Sequence, residues 1–205
     1  MTEASLHTQP STQSSTPSPY PLSPMAEVFR GPLLHFLDDP GNDPEPRPGS
    51  YEWFADGVMV VDRGKVVTTG DAATVLRQLP ADLTLTHWPD ALIVPGFIDS
   101  HVHMPQLGVI ASYGAQLLDW LNDYTFPMEA QFADVSWAET QAERFVDLLL
   151  SHGTTSGLVF CTTHPTSVDA TFQAAAQRGM ALAAGKCLMD RNAPDNLMDT
   201  AQGGV

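Results

Sequence analysis

From Pro95 onward, short apolar runs alternate with amphipathic stretches of helical length, and this rhythm restricts the fold more than any other feature. Ser136 to His152 carries Trp137, Ala138, Phe145, Val146, Leu148 and Leu149 in a helical pattern, and Gly153 follows as a stop. Thr154 to Phe160 reads as a strand. Ser167 to Arg178 reads as a second helix, ended by Gly179, and Met180 to Leu188 as a further strand. Strands alternating with helices of this length predict βα units on a parallel sheet. A closed (β/α)8 barrel needs about 250 residues, and the roughly 110 from Gly96 onward accommodate about three of its eight units. Residues 95–205 are therefore expected to form an incomplete barrel, with a short complete α/β domain as the alternative.

The preceding segment has a different texture. Val28 to Leu37 reads as a strand interrupted at Gly31-Pro32, and Asp38 to Ser50 as a loop rich in Pro, Asp and Gly. Tyr51 to Val61, the turn Asp62 to Lys65 and the run Val66 to Thr69 predict a β-hairpin. A short helix over Ala72 to Gln78 and a strand over Leu83 to His87 complete a small, mostly β unit spanning 26–94. Residues 1–25 hold fifteen Ser, Thr or Pro and no Lys or Arg. Such a segment buries too little apolar surface to offset its ordering entropy, so a disordered tail is expected.

Charge narrows the partners. Nine Lys+Arg face 24 Asp+Glu, a formal net charge of −15. That balance disfavours phosphate backbones and anionic membrane surfaces, so neither nucleic acid nor membrane is an expected partner. No apolar run approaches the roughly 20 residues that cross a bilayer. The first cation is Arg30, so no basic segment opens a secretory signal and a cytoplasmic protein is the default. Cys161 and Cys187 sit in apolar stretches and read as small buried hydrophobes in a reducing compartment.

The chemistry concentrates at His101-Val102-His103, the end of the apolar run that starts at Ala91. Strand side chains alternate, so Asp99, His101 and His103 are expected on one face and Ile98 and Val102 on the other. Two imidazoles on one face can converge on a cation, and neutral imidazole is a good zinc ligand. Taken alone the pair is weak evidence, since two histidines on an edge strand facing water fit the same pattern. Its place at the end of a strand strengthens the metal reading, because active sites of βα barrels sit at the C-terminal ends of their strands.

The segment Pro95-Gly96-Phe97-Ile98-Asp99-Ser100-His101-Val102-His103 resembles the first barrel strand of the amidohydrolase superfamily. Ser112-Tyr113-Gly114-Ala115-Gln116-Leu117-Leu118-Asp119-Trp120-Leu121, Tyr124-Thr125-Phe126-Pro127 and Met189-Asp190-Arg191-Asn192-Ala193-Pro194 are similar to the guanine deaminase branch of it. The resemblance covers roughly residues 26–202. It implies an α/β fold: the first three or so βα units of a (β/α)8 barrel, preceded by a small β-sandwich segment. It also implies hydrolytic deamination of guanine to xanthine and ammonia, with one Zn²⁺ as cofactor and a homodimer as the assembly.

By the same resemblance His101 and His103 are metal ligands, and His103 and Gln106 lie on the substrate side. A carboxamide has both donor and acceptor, so Gln106 can read a purine edge. The family's remaining ligands, its catalytic Glu and Asp, and an arginine that contacts the base are expected beyond Val205. His152, His164 and Arg191 match none of them. Two alternatives stand beside this one: an amidohydrolase acting on another purine-, pterin- or triazine-like ring, and a truncated, non-catalytic remnant.

Overall fold

A computed structural model describes residues 20–200 and 202–203. Within the chain, Met1–Pro95 and Gly96–Val205 form two compact units. The first is a four-stranded sheet with spatial order β3-β2-β1-β4. Its strands are β1 (Glu27–Phe36), β2 (Tyr51–Asp62), β3 (Lys65–Asp71) and β4 (Thr84–His87). β1 runs antiparallel to β2 and parallel to β4, and its register slips between Gly31 and Leu33. Pro32 lies in that slip and has no N–H to give the ladder. Gly31 is needed there, since a Cβ would come within 2.6 Å of the Trp88 carbonyl oxygen. The β2–β3 hairpin turns on Arg63 and Gly64, both at positive φ, the backbone of the tight turn that matches strand twist.

The helix α1 (Ala72–Val75) is capped by Asp71, whose carboxylate accepts from the Thr74 amide. Val28, Val58, Val60, Ala72 and Val75 form the core of this unit. The tail expected over residues 1–25 lies outside the described residues as far as residue 19. Residues 20–25 depart from that expectation. Leu22 packs against the core, and both the amide and hydroxyl of Ser23 donate to Asp62. Thr68 Oγ1 also donates to the Tyr20 hydroxyl, so several contacts tie down a stretch whose composition reads as unstructured.

The second unit carries a parallel sheet of order β5-β6-β7, formed by β5 (Phe97–His103), β6 (Thr154–Phe160) and β7 (Ala181–Gly185). The long helices α4 (Val135–Ser151) and α5 (Pro165–Arg178) connect its strands. In α4 the buried positions Ala138, Gln141, Ala142, Phe145 and Val146 follow the three-then-four spacing of one helical face. Asp134 caps its start by accepting from the Trp137 amide at 2.8 Å. Pro165 opens α5, and Gly179 closes it in the left-handed region at φ 66°. Val102, Val159, Leu182 and Ala184 turn one face of the sheet toward these helices and join Phe132, Phe145 and Ala174 in the core.

Between β5 and α4 lies a series of short turns that the sequence pattern did not reveal. It runs through a 3-10 stretch (Met104–Val109), α2 (Leu117–Trp120), a π-helical turn (Leu121–Thr125), α3 (Phe126–Ala130) and a 3-10 turn (Gln131–Ala133). Each is too short to display a hydrophobic period, and Pro105 and Pro127 break any longer one. β7 is shorter than the expected Met180–Leu188, because its ladder ends where β6 ends, opposite Phe160.

Candidate active site

The site grows from the ladder between β5 and β6. Phe97 pairs with Thr154 and Ile98 with Ser156, so Thr155 is an extra residue on β6. Asp99 pairs with Gly157 and Val102 with Val159, so β5 then holds one extra residue at Ser100-His101. The two irregularities cancel in length but not in facing. By alternation along β6, Ile98 falls in the row of Leu158 and Phe160, and Asp99 in the row of Gly157 and Val159. The expected grouping of Asp99 with the histidines, and of Ile98 with Val102, is therefore corrected. Ile98 lies on the open face, 77% exposed, and the Asp99 carboxylate accepts from the His101 amide at 3.0 Å.

The register puts His103 beside Phe160 on that same open face. The ring of Phe160 contacts both histidines, with centroids 4.7 Å from His101 and 5.0 Å from His103. Backed by this ring, the two imidazoles converge: His101 Nε2 and His103 Nε2 are 3.3 Å apart. Ligands of a tetrahedral zinc at about 2.0–2.1 Å stand about 3.3–3.4 Å from each other. The pair thus already has the separation of two ligands of one such ion. Burial, and then the neighbouring His101, push the His103 pKa below its ordinary value, which favours the neutral imidazole a metal requires. Among the described residues no group of three or more His, Cys, Asp or Glu is arranged to hold a metal.

Gln106 follows one turn later, in the 3-10 stretch after β5. Its Nε2 lies 3.4 Å from His103 Nδ1. Near it stands Glu129 of α3, a buried acid. Burial raises the Glu129 pKa, and the neighbouring Gln106 side chain partly offsets this. Sequence reasoning missed both Phe160 and Glu129. Phe160 ends its strand as His103 does, so the strand-end rule that singled out β5 also points to it. Glu129 had a fainter signal, as the lone charged residue between Phe126 and Phe132.

Among the described residues no hydrogen bond or ring contact joins His152 or His164 to His101 or His103. Arg191 is exposed and faces Asp190. Cys161 is buried and Cys187 half-buried, and both are free thiols. Burial raises both, Cys187 to about 11, so neither is a ready thiolate near neutral pH.

Comparison with known proteins adds four findings. A model of the amidohydrolase family matches residues 92–203. A guanine deaminase of Escherichia coli (strain K12) is 43% identical over 161 residues, covering 78% of this chain and 37% of that protein. Among solved structures, E. coli guanine deaminase superposes with a TM-score of 0.78 at 40% identity, over 86% of this chain and 41% of that one. A guanine deaminase from C. acetobutylicum with guanine bound in its active site superposes with a TM-score of 0.67 at 28% identity, over 85% and 39%. The chain thus spans well under half the length of the relatives it matches.

Proposed function

The chain belongs to the amidohydrolase family, and from that premise we propose that it contributes the first half-site of a zinc-dependent guanine deaminase, which hydrolyses guanine to xanthine and ammonia. The observation that carries this reading is the 3.3 Å approach of His101 Nε2 to His103 Nε2 at the C-terminal end of β5. The 43% identity to a guanine deaminase supports the substrate.

In this reading His101 and His103 hold the ion, and Phe160 keeps their rings from turning away. When bound, zinc supplies the Lewis acidity that makes a water nucleophile available near neutral pH. Gln106 and His103 face the substrate, the Gln106 carboxamide offering donor and acceptor to the purine edge. The homodimer implied by the family belongs to the same proposal and is tested by light scattering.

Two imidazoles leave most of a four-coordinate shell to water. The reading therefore has two parts. The 205-residue chain alone, given zinc and guanine, releases no ammonia. A full-length protein carrying this segment does, and loses both zinc and turnover on His101→Ala. Sustained ammonia release by the short chain, or unchanged zinc content in that variant, contradicts the proposal. Faster turnover of a pterin or triazine than of guanine replaces the substrate while leaving the half-site intact.

A further inference from the structure

β7 ends at Gly185, and the chain leaves the C-terminal end of the parallel sheet, the end that carries His101 and His103. The Cys187 amide donates to the Thr162 carbonyl at 3.1 Å, just past the end of β6. A 3-10 turn (Asp195–Leu197) then packs against α3, within the turns that follow β5. Segment 187–198 thus reaches from β7, past the end of β6, to the turns after β5. Leu197 is its one buried residue.

The return is tied at the neck. The Asp199 amide donates to the Met189 carbonyl at 2.8 Å. Asp199 Oδ1 accepts from the Thr200 amide at 2.9 Å. That leaves Oδ2 for the Lys186 ammonium, 2.6 Å away. Lys186 Nζ also donates to the Gly203 carbonyl. The two paired side chains are only 17% and 13% exposed. Every other ion pair among the described residues has a partner 43% exposed or more. Exposed pairs contribute little, whereas a shielded pair is weakly screened and its rupture strands a desolvated charge.

We propose that segment 187–198 is a latched strap on the rim of the histidine site, held shut by the Lys186–Asp199 ion pair, and that it opens as a unit while the sheet, α4 and α5 stay folded. The ion pair joins the two ends of the loop, so breaking it frees the whole segment. Leu197 alone seats the strap in apolar surroundings, and a segment with so few buried contacts opens at a lower cost than the core beneath it. Loops with closed necks at the C-terminal ends of parallel strands are where mobile site elements belong. The inference goes beyond the metal reading and does not rest on it.

Limited proteolysis with trypsin reads the strap directly, because Arg191 lies in it and Arg144 lies in α4. Cleavage after Arg191 reports opening of the strap, and cleavage after Arg144 reports unfolding of the unit. On the wild-type chain the first is slow, yet faster than the second. Lys186→Met and Asp199→Asn each speed cleavage after Arg191 about 10-fold or more, since one charge is left without its partner. Cleavage after Arg144 stays at the wild-type rate. The double variant is accelerated by less than the product of the two single effects.

Equal acceleration at Arg191 and Arg144, or no acceleration at Arg191 in either variant, overturns the proposal. Should neither variant fold, hydrogen exchange on the wild-type chain decides. The amides of Leu197, Met198 and Asp199 donate to the carbonyls of Pro194, Asp195 and Met189. They exchange with one common protection, lower than that of the α4 amides. Protection equal to that of α4, or none at all, overturns the strap.

Discussion

The His103 ring lies almost parallel to the ring of Phe160, with planes 16° apart and centroids 5.0 Å apart. This stack follows from the register, which sets the two residues opposite each other at the ends of neighbouring strands. Phe160 supplies shape without a polar atom, so it restrains the imidazole and leaves both nitrogens available. Phe160→Ala should weaken Zn²⁺ binding about 10–100-fold, the range of partners that orient a ligand. Chelator competition on the purified chain measures it. Affinity equal to wild type would mean that the rings hold their angle without support.

Gly96 stands where β5 begins, and no side chain fits there. A Cβ would lie 2.0 Å from Thr155 Oγ1 and 2.7 Å from Thr155 Cβ. Gly96→Ala should therefore push the two strands apart and cost about 1–3 kcal/mol, the usual range for overpacking. Urea unfolding reads the loss. Adding Thr155→Gly should recover part of it, giving a favourable coupling in the double-mutant cycle. Purely additive effects would place the clash elsewhere.

Glu129 carries a prediction about pH. Its folded pKa lies above the ordinary value of 4.5 because of burial. As pH rises from that value through the folded one, the folded chain keeps a proton that the unfolded chain has lost. Stability therefore declines with rising pH over this window. Glu129→Gln removes this contribution, so the variant should gain on the wild type as pH rises from about 4 to 7. Urea midpoints at several pH values test it, and a difference that does not vary with pH would count against it.

Phe132 is 1% exposed within the core of the second unit. Phe132→Ala should cost about 3–5 kcal/mol, the sum of lost burial and the cavity left behind. Tyr113, 82% exposed, is the control, since Tyr113→Ala should stay within about 0.5 kcal/mol. Thermal or urea denaturation compares the two.

Much of the fold was legible because its signals are local. The bounds Thr154–Phe160 of β6 follow from a β-rich run set between two loops, and α4 from one apolar face. The hairpin is announced by Asp62-Arg63-Gly64-Lys65, and the histidine pair by its place at a strand end. What stayed hidden depends on partners far along the chain. The facing of Asp99 and Ile98 is decided by the extra residue at Ser100-His101, which only the pairing with β6 reveals. Glu129 stands out only once the fold buries it. The turns from Met104 to Ala133 are individually too short for periodicity to register.

The extra residue at Ser100-His101 has a consequence for how this strand tolerates change. Side-chain facing flips with every position, so deleting Ser100 would even out the ladder and rotate the segment before His101 onto the opposite side. A one-residue insertion at the same place would flip the facing in the same way. Segment length is thus constrained as firmly as chemical identity, and a scan of point replacements alone would overlook it.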